Sequence, residues 1–384
     1  MSPAFDVCIR GAGIVGRTLA LLLARERLQV ALVAAPTASA PHQPPHTAAA
    51  PDVRAYAISP AVRAVLESVC GWPADTHAAT PVLSMQVHGD QQGTVHFSAT
   101  EQRVPALGWI VDVPALEWQL QQACHYQSSI TLKDAPVSAP LTVICEGRAS
   151  TTRADLGVPY ETAPYPQHAI AARAEGERPH EQVARQWFTA DGDILALLPL
   201  GGPEGKEVAV IWSVQQTRLA GCLAEDDATF AQQLQDLSGN ALGALRLTAA
   251  RAHWPLILAC AEHWVGALPD CAQASFALAG DAAHAMHPLA GQGLNFGLGD
   301  AAELARVLAA RETWRSLSDL KLLRRYERAR QAQWRRFAFA TDGLQRLFTR
   351  PEPGIAWLRN AGMRLFDHSG RLKARAARAA MGQA

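Results

Sequence analysis

At 384 residues, with 49% hydrophobic and 18% charged residues, the chain is too apolar to be disordered and long enough to exceed one average domain. Its N-terminal apolar run, Leu19 to Ala24, is bounded by Arg17 and Arg25 and is far too short to span a bilayer; no secretory signal is visible, so the expected compartment is the cytoplasm. The zero net charge hides an asymmetry: residues 311–384 carry 17 Lys/Arg against 6 Asp/Glu, and the rest of the chain is correspondingly acidic.

In chain order, Phe5–Ile9 is short, apolar and β-prone, and it enters Gly11-Ala12-Gly13-Ile14-Val15-Gly16. A helical apolar period follows to about Arg27, then a second strand, Gln29–Ala34. Strand, glycine turn, helix, strand is the opening unit of a dinucleotide-binding fold. Pro36–Pro51, rich in Pro, Ala and His, is a loop by composition. Pro81–Phe97 and Phe188–Val214 hold short β-rich runs, Ile194–Leu198 and Val208–Val214 among them, that predict an antiparallel sheet in a second lobe. Phe276–Ala279 is again a strand entering a glycine turn, and from Leu294 onward the pattern is helical. The seven cysteines include no Cys-x-x-Cys pair and read as reduced thiols, with Cys8 a small core residue of the first strand.

The glycines of Gly11-x-Gly13-x-x-Gly16 have separate physical tasks. Gly11 permits the tight turn, Gly13 lets the backbone approach a pyrophosphate, and Gly16 lets helix and strand pack closely, leaving the anion at a helix N-terminus. An acid normally ends the second strand of such a unit and binds the adenosine ribose. Here that stretch is Val33-Ala34-Ala35-Pro36, with no carboxylate. Arg10, just before the turn, either adds positive charge near the pyrophosphate or points outward. The most specific signal is GDAAHAMHPLAGQGLNFGLGD at 280–300. Asp281 ends a strand with a carboxylate suited to sugar or ribityl hydroxyls, and Gly291-Gln292-Gly293 opens a helix whose N-terminus would stabilise the negative charge a flavin gains on reduction. His284 and His287 lack a third ligand at metal spacing, and no Gly-x-Ser-x-Gly elbow is present.

This segment closely resembles the second FAD fingerprint of the flavin-dependent aromatic hydroxylases, specifically the ubiquinone-biosynthesis group (UbiH/UbiF/VisC). Arg54-Ala55-Tyr56-Ala57-Ile58-Ser59 resembles that group's Arg-x-x-Ala-Leu-Ser stretch. Gln186-Trp187-Phe188 to Leu200, Val210-Ile211-Trp212-Ser213 and the basic tail also resemble it, so the likeness covers nearly the whole chain. The middle fingerprint, Ala-Asp-Gly-x-x-Ser-x-x-Arg in relatives, reads Cys145-Glu146-Gly147-Arg148-Ala149-Ser150-Thr151-Thr152-Arg153, and Asp112-Val113-Pro114 stands where relatives often have Glu-Asn-Arg. The resemblance implies that Gly11, Gly13 and Gly16 bind the ADP moiety, Arg54 lies along the FAD, Glu146 and Gly147 contribute to the cofactor site, and Asp281 binds the pyrophosphate–ribityl segment. Pro288, Gly291, Gln292, Gly293, Leu294 and Asn295 would line the isoalloxazine, the first three as the catalytic positions. Trp187 and Trp212 are candidates for the substrate cavity.

The implied fold is α/β: a Rossmann-like FAD-binding domain, an inserted antiparallel β-sheet substrate lobe and a helical C-terminal region. The expected parts are 1–80, 111–165 and 271–340 for the FAD-binding domain, 81–110 and 166–270 for the lobe, and 341–384 for the basic helical tail. The implied reaction is hydroxylation of an electron-rich ring, a ubiquinone precursor, through a C4a-hydroperoxyflavin, with FAD as cofactor, NADPH or NADH as transient reductant and O2 as co-substrate. A catalytically degenerate scaffold of a quinone-biosynthesis complex is the alternative, favoured by the missing strand-end acid. The basic tail suits anionic lipid at the inner membrane face, an acidic partner, the acidic body of its own chain, or plain solvation as a helical face; no motif points to nucleic acid.

Overall fold

Val7–Arg10 (β1) buries both faces of its first three residues, which is why it reads as a continuous apolar run instead of an alternation. The computed structural model describes residues 4–34, 52–91, 93–269, 271–286, 292–349 and 353–382. After β1 come α1 (Ile14–Arg25), β2 (Val30–Val33), β3 (Ala55–Ile58), α2 (Pro60–Ser68), β4 (Ala79–Val82), β5 (Ser84–His88) and β6 (Thr94–Ser98). Next are α3 (Ala99–Gln102), β7 (Gly108–Asp112), α4 (Val113–His125), β8 (Ile130–Lys133), β9 (Leu141–Ile144), α5 (Thr151–Asp155), β10 (Tyr160–Gly176), β11 (Val183–Phe188), β12 (Ile194–Pro199) and β13 (Glu207–Gln215). The chain continues with α6 (Gln216–Ala224), α7 (Asp227–Leu237), β14 (Leu245–Leu247), β15 (Ala252–Ala261), β16 (Val265–Leu268), β17 (Cys271–Leu278) and β18 (His284–Ala285). Its last helices are α8 (Gly293–Ala309), α9 (Leu320–Thr349), α10 (Pro353–Asp367) and α11 (Arg371–Ala380).

Separated parts of the chain build one sheet in the order β16-β17-β9-β1-β2-β8. Its members from β17 to β8 are parallel, and β16 is an antiparallel edge on β17. This is the Rossmann-like layer, and the apolar face of α1 (Leu19, Leu23) packs into the same core as Leu298 and Leu304 of α8.

The second sheet runs β18-β15-β10-β13-β12-β11-β5-β6, with β14 on β10. It is antiparallel except where β5 joins β11 in parallel. One face, carrying Ile170, Leu195, Val210 and Trp212, packs on Phe230 and Leu234 of α7. The opposite face, with Ala184, Leu198 and Ala209, packs on Ala55, Val82 and Ile110 of a small sheet ordered β3-β7-β4. Cross-strand register aligns Gln186, Ala196, Ile211 and Ala171 in one row on that opposite face.

The C-terminal helices wrap onto this body. Phe348 and Met363 close an apolar cluster with Val95, Phe188 and Ile194 of the lobe. Arg359 pairs with Asp90 between β5 and β6, and Asn360 donates to the same carboxylate at 2.7 Å. Lys373 of α11 reaches Asp367 at 3.0 Å and Glu101 at 3.6 Å. Part of the basic tail is therefore neutralised by acids of its own chain.

Candidate active site

The parallel strands β1, β9 and β17 are neighbours, so the segments that follow them emerge at one sheet edge. Those segments are the three fingerprints: Gly11–Gly16, Cys145–Arg153 and Gly280–Asp281. The carboxyl edge of such a sheet is where ligands of this architecture bind.

Two kinds of glycine line this edge. At Gly11 (φ +110°) an added Cβ would meet the Cys145 carbonyl oxygen at 2.3 Å, and at Gly16 it would meet the Gly11 carbonyl oxygen at 1.9 Å. Gly280 (φ +64°) and Gly297 both close on Val15, with contacts of 3.3 and 2.9 Å, so the first turn of α1 is clamped between the third fingerprint and α8. By contrast, among the described residues a Cβ at Gly13, Gly147 or Gly293 would meet nothing within 4 Å. Gly13 is the N-cap of α1 and Gly293 opens α8; neither helix start carries a side-chain cap bond. Two helix N-termini thus present open backbone, the arrangement that favours an anion or developing negative charge.

Glu146 is engaged inside its own turn. Its carboxylate accepts from Ser150 Oγ (2.7 Å), Thr152 Oγ1 (2.7 Å) and Thr152 N–H (3.2 Å), and ion-pairs with Arg10 Nε at 2.9 Å. Burial alone would raise this carboxyl, but the Thr152 and Ser150 hydrogen bonds and the Arg10 charge lower it below the usual range. Arg10 therefore faces Glu146 instead of pointing outward. These contacts clasp the glutamate side chain against the start of α5.

Arg153, the last residue of the middle fingerprint, is buried and stacks its guanidinium over the Tyr160 ring at 3.7 Å. It donates to the carbonyls of Ala282 (3.1 Å) and Arg148 (2.9 Å), while Tyr160 OH donates to the Asp281 carbonyl at 2.9 Å. The Asp281 side chain stays open to solvent, yet crowding by protein atoms raises its carboxyl, with His284 and Arg148 opposing that rise. Asp281 therefore offers a solvent-exposed carboxylate beside the Tyr160 and Arg153 anchors of its turn.

Asn295, in the first turn of α8, accepts from Ser59 N–H at 2.8 Å and donates to Ala57 O at 2.7 Å. It ties α8 to the end of β3. Leu294 is half-buried against the main core, and Gln292 reaches the Ala380 carbonyl at the end of α11 at 3.4 Å. Pro288, Gly291 and His287 lie outside the described residues. The guanidinium of Arg54 is held by Asp52 (2.9 and 3.0 Å through Nε) and by Glu117 at 3.6 Å, the Asp52 hydrogen bonds raising its pKa further. Asp112 pairs with Arg173, whose guanidinium also reaches the Arg54 carbonyl at 3.4 Å.

One sequence expectation is corrected. Trp212 is fully buried on the α7 side of the large sheet, 5.5 Å from Phe230, and belongs to the core. Trp187 shares that face by register and stacks on His88 at 5.4 Å. The face turned toward β3 instead carries Gln186, Ala196, Ile211 and Ala171. Sequence reasoning also missed Asp300, a fully buried carboxylate behind the third fingerprint, and Tyr56, whose hydroxyl is raised by burial and feels both Arg54 and Asp281. A carboxylate within the apolar period of α8 was the available signal for Asp300.

The edge fits FAD in its chemistry: Gly13, Gly147 and Gly293 leave open backbone, and Asp281 adds a solvent-exposed carboxylate. Comparison with known proteins agrees. Residues 122–339 match the FAD binding domain family. The chain is 30% identical over 400 residues to the ubiquinone hydroxylase UbiL of Rhodospirillum rubrum, covering 98% of this chain and 89% of that protein. It is 28% identical to the 3-demethoxyubiquinol 3-hydroxylase of Escherichia coli, covering 98% of each. Among solved structures, p-nitrophenol 4-monooxygenase PnpA of Pseudomonas putida shares the fold with a TM-score of 0.74 at 17% identity, over 99% of this chain and 97% of that one. PqsL of Pseudomonas aeruginosa, a probable FAD-dependent monooxygenase, does so at 0.73 and 20% identity, over 94% of this chain and 99% of that one. The chain belongs to the FAD-dependent aromatic monooxygenases, in the group of the ubiquinone-biosynthesis hydroxylases.

Proposed function

We propose that the protein hydroxylates the electron-rich aromatic ring of a ubiquinone precursor, and that the edge formed by the three fingerprints is its cofactor site. The carrying observation is the convergence of Gly11–Gly16, Cys145–Arg153 and Gly280–Asp281 at one sheet edge, with open backbone at Gly13, Gly147 and Gly293. FAD, reduced by NADPH or NADH, supplies the oxygen-activating chemistry when bound.

The chain's own residues bind and orient. The N–H groups at the start of α1 would hold the pyrophosphate, with Gly11, Gly13 and Gly16 allowing its approach, while Glu146 and Gly147 shape the neighbouring turn. Asp281 would take ribityl hydroxyls, and Arg54, held by Asp52 and Glu117, would lie along the cofactor. The N-terminus of α8, with Gly293, Leu294 and Asn295, would face the ring and stabilise its reduced form; Pro288, Gly291 and Gln292 would border the reacting edge. The row Gln186, Ala196, Ile211 and Ala171 offers a mostly small, apolar wall for the aromatic substrate and helps exclude water.

Peripheral contact with an anionic membrane, or with a quinone-biosynthesis complex, is part of the same reading. Leu365 and Leu372 are exposed on helices that also expose Arg364, Arg371, Arg375 and Arg378. No helix among the described residues is long and apolar enough to cross a membrane.

The test is the absorbance spectrum of the purified protein after FAD addition and desalting. Retained flavin bands, bleached by NADPH without oxygen, followed by turnover of a prenylated phenol, are expected. A protein that takes up no FAD would overturn the reading and leave a scaffold role.

A further inference from the structure

The 280–300 segment is tied together by a buried ionic cluster that joins its two ends, Gly280 and Asp300, through His284 and Arg330. Asp300, in the second turn-pair of α8, has no solvent exposure. Its Oδ2 accepts from Gly280 N–H at 2.9 Å and from His284 Nε2 at 2.7 Å, and its Oδ1 accepts from Arg330 Nε of α9 at 2.7 Å. Arg330 also donates to the Phe296 carbonyl at 2.9 Å, and its guanidinium packs on Gly299, where a Cβ would meet it at 2.9 Å. His284 lies between Trp264 (4.9 Å between ring centres) and Phe296 (6.1 Å). One carboxylate therefore links α8, α9, β18 and the turn that carries Asp281.

Placement of such a charge in the core is costly unless it is fully paired. Burial would raise the Asp300 carboxyl, but the His284 and Arg330 charges and their hydrogen bonds more than offset this and hold it below the usual carboxylate range. The carboxylate stays ionised, so its bond to Gly280 N–H is charge-assisted and directional. Gly280 has φ +64° and precedes Asp281 directly, so fixing its N–H fixes the take-off of the Asp281 side chain. The same carboxylate sits on α8, whose first turn holds Asn295. Its position sets the separation between the Asp281 turn and the open N-terminus of that helix.

We infer that Asp300 is the positioning residue of the cofactor site, holding the Gly280-Asp281 turn in register with α8 so that both engage FAD together. This rests on the reading that the edge binds FAD. Glu327, also on α9, provides the control: it accepts from Trp264 N–H at 2.7 Å and anchors the helix without touching the turn.

The experiment titrates apoprotein with FAD by flavin fluorescence and follows unfolding by circular dichroism, for Asp300→Asn, Asp300→Glu, Glu327→Gln and Asp281→Ala. Asp300→Glu keeps the charge and both partners but displaces the carboxylate by one methylene, so it answers the question even if Asp300→Asn fails to fold. Both Asp300 variants are expected to bind FAD about tenfold more weakly, the effect of one charge-assisted hydrogen bond, and to alter the visible dichroism of the flavin that remains. Glu327→Gln should lose stability with unchanged FAD affinity. If Asp281→Ala weakens FAD binding while Asp300→Glu binds like the parent, or if affinity merely tracks melting temperature across the set, the positioning role is wrong and the cofactor reading survives. If Asp281→Ala itself binds FAD normally, the cofactor reading falls and the inference with it.

Discussion

Gly13 and Gly16 belong to one motif but do different work, and the difference can be measured. A methyl at position 16 would stand 1.9 Å from the Gly11 carbonyl oxygen, inside the turn itself. Backbone must move to relieve it, so Gly16→Ala should destabilise the fold by about 2–4 kcal/mol and reduce FAD binding as a consequence. At position 13 the methyl meets nothing within 4 Å among the described residues, and φ is −78°, which alanine adopts without strain. Gly13→Ala should therefore cost about 1 kcal/mol or less in stability, yet obstruct the approach of a pyrophosphate to the start of α1. Thermal melts paired with FAD titrations check this. Equal FAD affinity in parent and Gly13→Ala would mean that the open space at α1 is not where the phosphates sit.

The strand β2 lacks the acid that dinucleotide-binding units normally carry at this point. It ends at Val33-Ala34 without the carboxylate that binds a ribose, although it occupies its place beside β1 in the parallel sheet. Backbone geometry there is ordinary: Ala34 N–H donates to the Lys133 carbonyl at 3.2 Å. Ala34→Glu should accordingly raise FAD affinity, by roughly tenfold for a new carboxylate–hydroxyl hydrogen bond; affinity unchanged or weakened in the titration would show that another group already serves the ribose. The elements that were legible in the sequence share one property, a pattern fixed by local physics. Glycines at 11, 13 and 16 between two apolar runs, and the Gly280-Asp281 turn, follow from backbone sterics and short spacing. The facing of Trp212 was not legible, because alternation along β13 separates two faces without saying which one meets α7. Nor was the parallel pairing of β5 with β11, which joins segments about 100 residues apart. Asp300 escaped for a related reason: only the packing of α8 against α9 and the Gly280 turn makes its carboxylate a hub. Arg54 was read from resemblance alone, and its pairing with Asp52 and Glu117 is a tertiary arrangement that no local pattern announces.

At the scale of the whole molecule, the basic tail is a folded part of the body and not a loose arm. Phe348 and Met363 complete a cluster with Phe188 and Ile194, and Phe97 meets Phe366 at 6.3 Å between ring centres. Deleting α10 and α11 would expose that apolar surface and leave Asp90 without Arg359 and Asn360, so a loss of membrane binding after truncation would say little about lipid. Charge reversal on the exposed side of α11 is the cleaner probe. Arg371, Arg375 and Arg378 are exposed, whereas the buried Lys373 and Ala377 hold the helix down. Each basic residue near an anionic surface contributes about 1 kcal/mol at moderate salt. The combined substitution Arg371→Glu, Arg375→Glu and Arg378→Glu should then lower co-sedimentation with phosphatidylglycerol-containing liposomes at least a hundredfold in affinity, while the melting temperature changes little. Raising the salt should weaken the parent's binding in the same direction. Undiminished binding by the substituted protein would move the contact off this helix, and absence of binding by the parent would assign the exposed arginines to a solvated face or an acidic protein partner.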